Sequence, residues 1–212
     1  WEEVYLTTTY TTAVTYAALL AAAELAEAAE DADSAVKWRS AADDIAAAAH
    51  HHLYNPNRQS FYKGVIVRDG QIEYNDTIDN SSVFGVFMFG LFPVGSDELQ
   101  AAVATIQRTF GLSDSVIGLP RYENDDYCRV DGAVNGNWWL ITTLWLAQYY
   151  LEIDDHPQAE RIIDWVKNQA LSTGIMPEQI SPIDGSAVSV APLTWSHAEY
   201  IATLLDTITE KK

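Results

Sequence analysis

Asn80-Ser81-Ser82-Val83-Phe84-Gly85-Val86-Phe87-Met88-Phe89-Gly90-Leu91-Phe92 is the stretch that decides the architecture. Beyond its first three residues it offers no polar face, so a helix from Asn80 to Phe92 has to be buried on all sides. The next helical stretch differs. After Pro93 and Gly95, Asp97 opens a polar-faced helix that ends at Gly111. The contrast repeats downstream: Asn137 to Glu152 is rich in aromatics and leucine, whereas His156 to Ser172 is amphipathic and stops at Gly174. Buried helices alternating with amphipathic ones imply an inner and an outer layer, the pattern of an (α/α) barrel.

Upstream, Thr12 to Glu30 is alanine-rich, with an expected apolar face through Val14, Ala17, Ala18, Ala21 and Leu25. Asp33-Ser34 is positioned to cap a helix from Ala35 to Tyr54, with Val36, Ile45 and Leu53 inward. Asn55 to Glu73, which contains Asp69-Gly70, reads as a short hairpin. A last helix is expected from Leu193 to Glu210. The total is about seven helices, an all-α chain. A complete six-hairpin barrel needs two helices per hairpin, more than this chain supplies. Because the chain begins inside a motif, it is expected to be a fragment, and a partial barrel.

Bulk composition removes several classes of function. Thirty Asp and Glu against twelve Lys and Arg give a net charge of -18, with a pI near 4.3. Such a chain has no basic patch for a phosphate backbone, so nucleic acid is not an expected partner. An acidic, lysine-poor surface fits a salt-rich environment, where screening relieves self-repulsion; an acidic mesophilic enzyme fits equally. Apolar residues make up 48% and the mean hydropathy is -0.08, values of a folded globular chain. Its longest apolar run, Val83 to Val94, is too short to cross a bilayer, so no membrane partner is expected. A single cysteine, Cys128, excludes an internal disulfide. Localisation cannot be read from this sequence.

The chemistry is concentrated in three places. The chain opens on Trp1-Glu2-Glu3, with Thr11, Ala13 and Val14 following before the first helix. Gly118-Leu119-Pro120-Arg121-Tyr122-Glu123 sets an Arg-Tyr pair in a loop, followed by Asp125, Tyr127 and Asn135-Gly136-Asn137-Trp138-Trp139. Met176-Pro177-Glu178-Gln179 comes shortly before Pro192-Leu193-Thr194-Trp195-Ser196-His197. Two carboxylates delivered from distant parts of a helical scaffold suit glycoside hydrolysis, in which one acid protonates the leaving oxygen and one base activates water.

Together these motifs resemble glycoside hydrolase family 15, the glucoamylase, glucodextranase and trehalase group. The resemblance runs over nearly the whole chain and corresponds to roughly the second half of that family's catalytic domain. It implies an (α/α)6 toroid of glucoamylase type, with residues 1–212 as the C-terminal part of a single catalytic barrel. It also implies an inverting, exo-acting hydrolase of α-glucosidic bonds that releases β-glucose. Glu2 would be the general acid and Glu178 the general base, with Ser189 steadying the Glu178 carboxylate. Trp1, Glu3, Arg121, Tyr122 and Trp195 would contact the sugar. Leu6, Thr9 and Tyr10 depart from the glycine and phenylalanines usual after the first motif, which affects the loop shape there. An arginine–aspartate pair that grips the terminal glucose in the family lies outside this chain, so residues 1–212 alone are expected to be inactive or poorly folded.

Other readings stay open at this point. Arg121 could instead form a salt bridge to a structural carboxylate, and Trp138, Trp139 and Trp195 could be core. The domain could bind carbohydrate or a protein partner without catalysis, or belong to another α/α-barrel glycosidase family. His50-His51-His52 reads as a solvated turn rather than a metal tract. The triplets Asn75-Asp76-Thr77 and Asn80-Ser81-Ser82 match the glycosylation pattern, as short triplets often do by chance. No phosphate loop, zinc spacing or Ser/His/Asp nucleophile is present, so neither cofactor nor metal is expected.

Overall fold

The computed structural model describes residues 1 and 3–208, and the chain divides into two compact units, Trp1–Thr105 and Ile106–Lys212.

In the first unit, a short strand β1 (Thr7–Thr8) leads into α1 (Thr9–Ala28). Thr8 starts the helix because its backbone is extended and its hydroxyl accepts the Thr11 N–H at 3.1 Å. That bond satisfies one of the donors a helix N-terminus leaves open. Past the other end, Glu30 takes the left-handed conformation at φ 60, and the Asp31 N–H reaches the Ala26 carbonyl at 2.9 Å. Asp31 then begins α2 (Ala32–His52) by accepting the Ser34 N–H at 3.1 Å.

Hydrogen bonds from the Ser34 side chain and backbone hold the Asp31 carboxyl below its ordinary pKa. A depressed folded pKa stabilises the fold above the unfolded value, and the benefit is lost as pH falls through the folded value. Asp31→Ala should therefore lower the melting temperature at neutral pH, and the gap to the wild type should close on acidification. A gap that stays constant into acid would contradict this role.

Helices α1 and α2 pack on each other, and small side chains carry the contact. Apart from Thr9, α1 buries only Ala13, Ala23 and Ala26, and α2 buries Ala35, Ala42 and Ala49 at heptad spacing. This corrects the inner faces read from sequence. Leu25 and Val36 are 72% and 69% exposed, and Val14, Ala17 and Ile45 are half-buried. Alanines let two helix backbones approach closely, so the tight contact follows the small residues and not the larger apolar ones.

β2 (Tyr54–Asn55) pairs with β3 (Ser60–Phe61), and β4 (Gly64–Arg68) with β5 (Gln71–Asn75), both antiparallel. Asp69 at φ 50 and Gly70 at φ 75 form the two-residue turn of the second hairpin, and β1 adds to the other edge of β4. Next comes α3 (Asn80–Met88), capped by Asp79, which accepts the Ser81 N–H at 2.8 Å. Every residue from Asn80 to Phe87 is buried, as an inner helix requires. The helix stops before Phe92 because Gly90 turns left-handed at φ 68 and its N–H bonds back to Phe87. In α4 (Asp97–Thr109), within which the division between units falls, one stripe of Leu99, Ala102, Val103 and Ile106 is buried.

The second unit places β6 (Trp138–Trp139) immediately before α5 (Leu140–Glu152), followed by α6 (His156–Asn168), β7 (Gln179–Ile180), β8 (Ala187–Val188) and α7 (Thr194–Ile208). All of α5 except Tyr150 and Glu152 is buried, and it packs on both α6 and α7. Helix α6 buries only the stripe Ala159, Ile162, Ile163 and Val166. The expected start of α5 at Asn137 shifts to Leu140 because Trp138 and Trp139 are extended. They pair with Ile180 and Gln179, which in turn pair with Ala187 and Val188. This small antiparallel sheet gathers the polar loops before the N-termini of α5 and α7.

Candidate active site

Glu178 begins the turn into β7 and is 8% exposed. Its N–H bonds to the Val190 carbonyl at 2.9 Å, which fixes the backbone. Two donors converge on Oε2 of its carboxylate: the Ser189 hydroxyl, in a short hydrogen bond, and Gln179 Nε2 at 3.1 Å. Ser189 reaches it from a left-handed backbone at φ 66. Among the described residues, Oε1 of Glu178 has no hydrogen-bond partner. One oxygen is thus anchored by donors, as suits an acceptor-only carboxylate, while the other accepts from none of the described residues.

The anchor has a further support that sequence reasoning missed. Gln179 is fully buried, and its Oε1 accepts from Asn137 Nδ2 at 2.7 Å. Asn137 also donates to the Cys128 carbonyl at 2.8 Å and accepts from the Val130 N–H at 3.1 Å. The loop ahead of β6 is therefore tied to the carboxylate through two buried amides. The first turn of α7 supports the same strand from its other end. His197 Nε2 accepts the Met176 N–H at 3.0 Å, and the Ser196 hydroxyl donates to the Pro177 carbonyl at 2.9 Å.

Arg121 is 5% exposed and forms a bidentate pair with Asp125, with Nε to Oδ2 at 2.8 Å and Nη2 to Oδ1 at 2.7 Å. Its guanidinium lies over the rings of Trp139, Tyr127 and Tyr122 at 4.8, 5.2 and 5.1 Å, within range of cation–π attraction. The salt bridge left open by the sequence is present, and it holds the guanidinium plane against Trp139 of the sheet that Glu178 adjoins. Trp139 joins the two, since it pairs with Gln179 in the sheet and lies under Arg121.

Gly118 makes this loop possible: a Cβ there would fall 2.3 Å from the Trp138 side chain. Gly118→Ala should cost about 1–3 kcal/mol through overpacking. Urea unfolding would measure it, and a change below about 0.5 kcal/mol would show that Trp138 can yield.

The structure thus gathers these residues around one small sheet: Glu178 precedes β7, Ser189 follows β8, and Arg121, with Tyr122 beside it, stacks on Trp139 of β6. Trp195, 43% exposed, is next to Ser196 and tilts against Trp145 with ring centroids 6.1 Å apart. Trp1 and Glu3 belong to the first unit, where the Trp1 indole N–H points at Asp79 and Glu3 is exposed. Glu2, the expected acid, lies outside the described residues. None of the expected site residues line the polar cleft of about 400 Å³ formed by Gln107, Ser113, Tyr150, Asp155, Arg161 and their neighbours. Among the described residues, no group of three or more His, Cys, Asp or Glu could hold a metal ion. Nor is any helix long and apolar enough to cross a membrane.

Comparison with known proteins gives a consistent picture. Residues 1–160 match the model for glycosyl hydrolases family 15. An uncharacterized glycosyl hydrolase of Methanocaldococcus jannaschii is 28% identical over 214 residues, covering 95% of this chain and 32% of the relative. A bacterial glucoamylase solved with acarbose superposes with a TM-score of 0.79 at 21% identity, over 96% of this chain and 34% of its own. The family 15 glucoamylase of Hypocrea jecorina gives a TM-score of 0.78 at 17% identity, over 97% and 43%. The chain spans about a third of the length of the archaeal relative and of the bacterial glucoamylase. The structural likenesses establish the fold, a glucoamylase-type (α/α)6 toroid represented here by a partial barrel with seven helices among the described residues.

Proposed function

Because this chain belongs to glycosyl hydrolases family 15, we propose that it carries both catalytic carboxylates of an inverting, exo-acting hydrolase of α-glucosidic bonds. Glu178 is the general base. Its Oε1 takes a proton from the attacking water, while Ser189 and Gln179 hold Oε2 in place. Glu2 is the general acid that protonates the departing glycosidic oxygen. Inversion requires the two carboxyl groups to sit about 6.5–9.5 Å apart, which leaves room for the water. Arg121, held flat by Asp125, together with Tyr122 and Trp195, contributes to the sugar site, and Glu3 contacts the sugar on the leaving side. The observation that carries this reading is the carboxylate of Glu178, buried and, among the described residues, tethered through Oε2 alone.

The test uses the complete gene product with maltose, isomaltose and trehalose at low and high salt. Hydrolysis of at least one, lost in Glu2→Gln and in Glu178→Gln, is the expected result. With a net charge of -18, activity should rise as salt screens self-repulsion. A folded protein that turns over none of the three at any salt concentration would favour a non-catalytic carbohydrate-binding domain.

A further inference from the structure

Trp1 is tied to a buried ion pair in the first unit. Its indole Nε1–H lies 3.2 and 3.1 Å from the two carboxylate oxygens of Asp79. Asp79 is 1% exposed, and its carboxylate also meets the Lys63 ammonium at 3.3 Å, the Ser81 amide at 2.8 Å and the Ser81 hydroxyl at 2.6 Å. Lys63 is itself 6% exposed. Its backbone is held on both sides: its N–H donates to the Asn75 carbonyl at 2.8 Å and its carbonyl accepts from the Thr9 N–H at 3.1 Å.

Capping α3 requires only the bond from Ser81 to the Asp79 carboxylate; a neutral Ser or Asn would provide it without burying a charge. Beyond that cap bond, the carboxylate also meets the Lys63 ammonium and, in the chain's opening motif, the Trp1 indole. Asp79 is fixed by the start of α3 and by Lys63, and Lys63 by β5 and the start of α1. This anchor grips the indole of the residue directly before Glu2. Displacing a catalytic group by about 1 Å can cost about a hundredfold in rate, so a rigid hold one peptide away has catalytic value.

We propose that Asp79, charge-paired with Lys63, is a positioning residue that holds the Trp1 indole and so serves proton donation by Glu2. The inference rests on the assignment of Glu2 as the acid. It separates from a purely structural role through the leaving group. A misaligned acid slows substrates whose leaving oxygen needs a proton, but has much less effect on α-glucosyl fluoride, whose leaving group needs little protonation.

The experiment compares Asp79→Asn, Trp1→Phe and Glu2→Gln in the complete gene product, on maltose and on α-glucosyl fluoride, with melting temperatures recorded alongside. Trp1→Phe keeps an aromatic ring but removes the indole donor along with the second ring, so it tests the contact even if Asp79→Asn folds poorly. The expected result for Trp1→Phe is a loss in kcat of about tenfold or more on maltose, KM within about twofold, and a much smaller loss on the fluoride. Asp79→Asn should show the same selectivity, and the double variant should lose little more than either single one. Equal losses on both substrates, or no loss in Trp1→Phe, would overturn the positioning role. If Glu2→Gln keeps its maltose turnover, the acid assignment falls and the proposal falls with it. If Glu2→Gln shows the selective loss while Trp1→Phe and Asp79→Asn do not, only the positioning role is overturned.

Discussion

Glu178→Gln is expected to lower kcat of the complete gene product by about two to four orders of magnitude, with KM nearly unchanged. The substitution keeps the shape of the side chain. The amide oxygen can still accept from Ser189 and Gln179, which in the wild type both bond to Oε2. The amide nitrogen then takes the place of Oε1, so the site donates to water where it should accept from it. Geometry survives and proton transfer does not, which is why the loss should fall on kcat. Steady-state kinetics with a circular-dichroism check of folding would measure it. A variant that stays within tenfold of wild type would remove Glu178 from the base role.

Asp125→Ala should be the most damaging single change to stability, at about 3–5 kcal/mol. It strips the bidentate partner from Arg121, whose side chain is only 7% exposed, so a buried guanidinium packed among aromatic rings loses two charge-assisted hydrogen bonds. It also removes the acceptor of the Tyr127 N–H, at 3.1 Å from Oδ1. The ion pair as a whole need not stabilise the fold relative to an apolar substitute; the damage comes from breaking one half of it. Urea unfolding would register a large fall in midpoint, and any protein that still folds should have a raised KM, since the guanidinium plane would be free to turn. A loss under about 1 kcal/mol would mean that water or another carboxylate reaches Arg121.

The alternation of buried and amphipathic helices was legible because a helix buried on all sides has no polar face to mistake. Asn80 to Phe92 and Asn137 to Glu152 therefore pointed to inner helices within a few residues of α3 and α5. The inner faces of α1 and α2 were not legible, since large apolar residues are the usual sign of a core and these helices meet through alanines. Strand β6 was hidden for a different reason. Two residues are too few to show alternation, and Trp138-Trp139 merges with the apolar helix behind it.

The pairing of Ser189 with the Glu178 carboxylate followed from the family resemblance, as did the interest in Arg121. Their supports did not. Asn137 and Gln179 are 42 residues apart, and Trp1 and Asp79 are 78 apart, so no local pattern joins either pair. Gln179 sat in plain view inside the motif, but the sequence gives no sign of what its amide holds. Asp79 was not singled out at all, because nothing local sets it apart from an ordinary helix cap.

The central claim is that water, activated by Glu178, attacks the anomeric carbon with inversion. Its most direct test is proton NMR of the glucose first released by the complete gene product from an α-linked trisaccharide or longer substrate, recorded before the anomers equilibrate. The account predicts β-glucose at the earliest time points, with the signal lost in Glu178→Gln. Initial α-glucose would contradict it, because retention requires a covalent glycosyl intermediate and a closer pair of carboxylates, about 5–5.5 Å apart.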